Sequence, residues 1–108
     1  MIYHLAQSGH WEAAVRSGSY AQSTIGATLE DEGFIHASSA EQWPATRARF
    51  YAEVAEPLVL LVIDEERLTA PVRWEVGNPS TGERFPHVYG VVNVDAVVST
   101  ITLEPPHA

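Results

Sequence analysis

The hydrophobic pattern opens on a short strand. From Ile2 to Ala6 apolar and polar side chains alternate, which sets His4 and Ala6 on one face and Tyr3 and Leu5 on the other. Ser8 then stands where a helix cap is expected, ahead of an apolar stripe of Trp11, Ala14 and Val15 that Gly18 ends. The stretch from Gly18 to Gly26 is polar and punctuated by glycine, and a helical turn over Ala27 to Glu32 closes at Gly33. Period two returns over Phe34 to Ser38, placing Phe34, His36 and Ser38 on one face with Ile35 and Ala37 on the other.

Ser39 and Gln42 have capping-box spacing and predict a helix through Trp43, Phe50 and Val54, with Pro44 set slightly deep for a first-turn proline. Leu58 to Asp64 is a nearly unbroken Leu/Val/Ile run, the pattern of a central strand buried on both faces. A turn over Glu65 to Leu68 leads to a strand from Val72 to Val76, which puts Trp74 opposite Arg73 and Glu75. Gly77 to Arg84 reads as a loop, followed by strands over Phe85 to Gly90 and Val97 to Leu103 with a turn at Asn93, Val94 and Asp95. Five or six strands with helices concentrated in the first half predict an α+β domain, a mixed, mostly antiparallel split sheet with two or three helices packed on it. Residues 1–104 form that single domain, and 105–108 are expected to be a disordered tail.

Composition narrows the partners. With 108 residues, 45% apolar and 19% charged, the chain has the size and make-up of one folded domain. Fourteen acidic residues against six basic ones give a formal charge of -8, which repels a nucleic-acid backbone. There is no cysteine, hence no disulfide or thiolate site. The N-terminus lacks the pattern of a leader, and the longest apolar run, Leu58 to Ile63, is too short to span a bilayer, so a cytoplasmic location without membrane contact is expected.

His4, His36 and His87 all fall within predicted strands, where a sheet can bring imidazoles together as hydrogen-bonding and acid–base groups near neutral pH. The competing reading is three unrelated histidines at strand edges. None of them has the short helical spacing of a strong zinc motif, and no metal is assigned. Glu75 and Glu83 are the carboxylates placed to orient a sugar hydroxyl or act as a base, with surface ion pairing to Arg73 and Arg84 as the alternative.

The segments IYHLA, EGFIHAS, LVLLVID, RWE and ERFPHVYG-VVNVDAVV, in this order from Ile2 to about Val98, resemble the bacterial domain-of-unknown-function family numbered 952. Where that family carries a cysteine before the serine of its GFIHCS segment, this chain has Ala37. The resemblance implies kinship with the ADP-ribosyltransferase-like fold, whose members clamp NAD or ADP-ribose in a cleft between two small sheets. It implies that His4, His36, Ser38 and His87 line the cleft, that Tyr89 stacks, and that Arg49 or Arg73 meets phosphate. His36, His87 and Glu83 would then be the catalytic candidates, with Glu75 among the ligand-binding ones. No glutamate occupies the strand after FPHVYG, which favours binding, or histidine-centred hydrolysis or phosphotransfer, over ADP-ribosyl transfer. A non-catalytic module, such as a homodimer through an apolar strand edge, is the alternative in another class.

Overall fold

The computed structural model describes all 108 residues, Met1–Ala108. In chain order the elements are β1 (Ile2–Gln7), α1 (Ser8–Ser17), β2 (Ser19–Tyr20), β3 (Gln22–Thr24), β4 (Ala27–Thr28), α2 (Leu29–Glu32), β5 (Ile35–His36) and α3 (Trp43–Phe50). There follow β6 (Leu58–Ile63), β7 (Val72–Asn78), β8 (Glu83–Val88), β9 (Val92–Asn93) and β10 (Val97–Leu103), with short 3-10 turns at Glu65–Arg67 and Val94–Ala96. The architecture is α+β, and every strand pair is antiparallel.

Two three-stranded sheets dominate, β1-β6-β10 and β5-β8-β7, with the small pairs β2-β9 and β3-β4 beside them. The apolar run of β6 is central, and its Leu58, Leu60, Leu61 and Ile63 are all buried. One face of this first sheet meets Tyr20, Ile35, Val88 and Val92, and the other meets Tyr51. Truncating Leu60 or Leu61 to alanine in such a core costs about 2–5 kcal/mol. The backbones of the two sheets are joined at one bridge: Tyr3 N–H donates to the Ser38 carbonyl (2.8 Å) and Ser38 N–H to that of Tyr3 (2.7 Å). This bridge brings β1 and β5 side by side.

Several local expectations are corrected. Ser8 does not cap α1; its hydroxyl donates to the Pro57 carbonyl (3.0 Å), and Val15 faces solvent while Ala14 alone is buried. Gly18 does end the helix, in the left-handed conformation that glycine adopts without a Cβ clash. The glycine-punctuated stretch contains β2 and β3, and β4 takes Ala27 and Thr28 from the expected helical turn; these strands of two or three residues carry no readable period. The predicted strand over Phe34 to Ser38 shortens to β5, with Ser38 reaching β1 instead.

The helix expected from Ser39 starts at Trp43; the Gln42 oxygen accepts from Ser39 N–H (3.0 Å), one half of the expected capping box, while its amide donates to the Arg84 carbonyl on β8 (2.8 Å). It ends at Phe50, short of Val54. Trp74, opposite Arg73 and Glu75 on β7, is 44% exposed.

Residues 105–108 form no helix or strand, yet they are pinned. His107 is buried, accepts at Nδ1 from Arg47 Nε–H (3.0 Å) and donates from Nε2 to the Glu56 carbonyl (2.8 Å). Because arginine only donates, Nδ1 must be bare and this histidine neutral. No helix is long and apolar enough to cross a membrane.

Candidate functional site

The second sheet gathers most of the predicted residues on one face. Its register sets His36 opposite His87, His87 opposite Arg73, and Phe85 opposite Glu75. Opposed residues of an antiparallel pair point to the same side, as do residues two apart on one strand. Phe34, His36 and Ser38 therefore share a face with Phe85, His87 and Tyr89, and with Arg73, Glu75 and Gly77. The ring geometry bears this out: His36 meets His87 edge to face with centroids 5.2 Å apart, and Phe34 stacks on His87 at 4.1 Å.

Glycine is required at position 77. A Cβ there would lie 2.5 Å from Phe85 Cδ1, so only a bare backbone lets the Phe85 ring lie across β7.

His87 is 4% exposed and its Nδ1 lies 2.9 Å from Glu75 Oε1. A carboxylate oxygen accepts, so Nδ1 carries a proton, and in the uncharged form of the ring this leaves a bare lone pair at Nε2. That Nε2 is buried and has no hydrogen-bond partner. Tyr89 donates its hydroxyl to the same Glu75 oxygen. This bond, followed by the one from His87, holds the Glu75 carboxyl below the usual range, and raises the Tyr89 phenol above its own. Carboxylate, oriented imidazole and open lone pair together form the arrangement of a general base.

His36 is only partly buried and pairs with Glu32, whose Oε1 is 3.7 Å from Nε2. Burial first, and the neighbouring His87 second, lower its pKa, while Glu32 opposes them.

His4 is different. Its Nδ1 donates to the His36 carbonyl and its Nε2 accepts from the Tyr20 hydroxyl at 2.8 Å. Burial lowers its pKa to about 4, so it is neutral at physiological pH. Both ring nitrogens are satisfied inside the protein, which makes His4 a brace for β5 and leaves it no polar atom to offer a ligand.

A cavity of about 420 Å³ opens over this face, between the two sheets, and is walled by Tyr3, His4, Ser23, Thr24, Glu32, His36, Ser38, Phe50, Tyr51, Gly77, Phe85 and His87 among others. No arginine reaches it. Arg49 and Glu83 line a smaller depression of about 240 Å³ that adjoins it, with Thr46, Phe50, Gly77 and Phe85 as the shared wall. The histidines thus converge, with Ser38 beside them and Glu75 behind His87, while Glu83 and Arg49 stand apart. Arg73 lies over the Tyr89 ring (5.3 Å), so both belong to the support of Glu75. No group of three His, Asp or Glu side chains is arranged to hold a metal ion.

Sequence reasoning missed Glu32, Tyr20, Phe34 and Phe85. Glu32 and His36 are four residues apart, but the intervening Gly33 ends the helix, so helical spacing was no guide. Tyr20 sits in a two-residue strand without any local signal.

The family model described as protein of unknown function, DUF952, matches residues 5–100, and the chain belongs to that family. It is similar to protein CC0527 from Caulobacter crescentus: a crystal structure of that protein is 33% identical, with a TM-score of 0.81 over 95% of this chain and 85% of that one. The solution NMR structure of the same protein, 33% identical, gives a TM-score of 0.75 over 95% and 84%. The comparison with curated proteins gives no match.

Proposed function

We propose, for this member of the family, that the cavity between the sheets binds the ribose-bearing end of an NAD-type nucleotide or of ADP-ribose, and that His87 exchanges a proton with it through Nε2. The observation that carries this reading is the unpartnered, buried Nε2 of His87, oriented by Glu75 on the wall of a cavity large enough for a small molecule. A bare lone pair calls for a donor, such as a sugar hydroxyl or a water. The only charged side chain among the cavity residues is Glu32, which disfavours an anion there and suits an uncharged sugar. The phosphates would lie over the adjoining depression and meet Arg49, its one cation, which also has to offset the carboxylates of Glu41 and Glu83 there.

In this reading His87 takes a proton from the attacking hydroxyl or water, and ionised Glu75 stabilises the imidazolium that forms. Such a site serves hydrolysis, phosphoryl transfer or ADP-ribosyl transfer. Glu83 has no part in the proton step, since it lines the other depression; Glu32 is the carboxylate on the cavity wall. A nucleotide ligand accords with the cytoplasmic location expected from the sequence. Calorimetric titration of ADP-ribose into the protein and into His87→Gln tests the proposal. Saturable binding that the substitution weakens at least tenfold supports it, and equal affinity for both proteins counts against it.

A second reading, self-association, is favoured by β10. This edge strand leaves Val98 and Ile101 41% and 48% exposed beside unpaired backbone groups, a ready surface for a second copy of the chain. Sedimentation of the wild type and of Ile101→Lys decides it: a dimer that the substitution dissociates supports the reading, and a monomer at all concentrations refutes it.

A further inference from the structure

We infer that Tyr89 is a positioning residue, which fixes the tautomer of His87 by clamping Glu75. The need for a clamp follows from where Glu75 sits. It lies on β7, the outer strand of its sheet, with a side chain 39% exposed. A partly exposed glutamate loses rotamer freedom when it is held, and water competes for its oxygens, so a lone contact to one imidazole N–H holds it weakly. Tyr89 supplies a second donor. Its hydroxyl and His87 Nδ1 converge on the same oxygen, Oε1, and fix the carboxylate from two sides.

Tyr89 is held in turn. Its backbone N–H donates to the Pro71 carbonyl (2.9 Å), the Arg73 guanidinium lies 5.3 Å from its ring centre, and the Phe34 ring packs at 5.5 Å. The support therefore runs from Arg73 and Phe34 through Tyr89 and Glu75 to His87. Its product is one tautomer: Nδ1 protonated, Nε2 bare. If the hydroxyl is removed, Glu75 gains freedom to turn to water, Nδ1 loses a fixed acceptor, and the proton redistributes between the two ring nitrogens.

This inference rests on reading His87 as the proton-exchanging group, but its test needs no ligand, so a failure to bind nucleotides would leave the test intact. Long-range ¹⁵N–¹H spectra of the imidazoles are recorded near neutral pH for the wild type, Tyr89→Phe, Glu75→Ala and the double variant, with backbone amide spectra to show that each is folded. The expected result is a single His87 tautomer in the wild type and, in Tyr89→Phe, Nδ1 and Nε2 resonances displaced towards each other. Glu75→Ala should do the same, and the double variant should add nothing. A wild-type His87 spectrum in Tyr89→Phe, with Glu75→Ala perturbed, would mean that Glu75 holds the ring unaided and would overturn the inference. A mixed His87 tautomer in the wild type would overturn it equally.

Discussion

His36 and His87 stand directly opposite each other across the β5-β8 pair, with their rings 5.2 Å apart at an interplanar angle of 86°. Two imidazoles this close resist being charged together, and His87 is one of the causes that lower the pKa of His36. Replacing His87 by Phe keeps a ring against Phe34 and removes that repulsion. The His36 pKa should then rise, without returning fully to its ordinary value, because burial is the larger cause. An NMR titration of the His36 ring protons checks this, and an unchanged midpoint would show that the two rings are not coupled.

His4 makes stability depend on pH. Its pKa is about 4 in the folded protein against an ordinary 6.5, so between these values the unfolded chain binds the extra proton. The contribution is fully present above about pH 6.5 and is lost as pH falls towards 4; the shift corresponds to about 3 kcal/mol. Denaturant unfolding at pH 7 and pH 4.5 should show the loss, and His4→Gln should reduce the difference while lowering stability at pH 7.

Gly77→Ala drives a Cβ into Phe85, at 2.5 Å from Cδ1. Relief requires the ring to move, at a cost of about 1–3 kcal/mol. In Phe85→Leu the same glycine substitution should cost less, and a double-mutant cycle on unfolding free energies measures the coupling.

The C-terminal clasp should be separable from the site. His107→Ala removes the acceptor of Arg47 Nε–H and the donor to the Glu56 carbonyl, at a cost of about 1–3 kcal/mol. Hydrogen exchange should then rise in residues 104–108 and in the loop around Glu56, with the His36 and His87 resonances unmoved.

What could be read in the sequence was whatever has a period. The continuous apolar run of Leu58 to Ile63 identifies a central strand because only burial on both faces tolerates it. Alternation correctly placed His36 and Ser38 on one face and Arg73 with Glu75 on another strand's face, and the register then brought those faces together. What alternation cannot reveal is which atoms a side chain spends inside the fold. His4 lies on its predicted strand, yet Tyr20 and the His36 backbone consume both its nitrogens, and Tyr20 comes from a strand of two residues that is defined only by its partner. Glu83 stands apart for a related reason. Residue type suggested a base, but the start of β8 sets it with Arg49 on the adjoining depression, outside the main cavity. The tail was missed because its order comes from one buried histidine and one arginine 60 residues away.

The central claim is that His36 and His87 face a pocket for a ribose-bearing ligand, and it is tested most directly by imidazole and amide NMR spectra recorded during titration with NAD and then ADP-ribose. The account predicts saturable shifts in His36, His87 and Ser38, with His107 silent as an internal control. Unmoved His36 and His87 signals at millimolar nucleotide would contradict it.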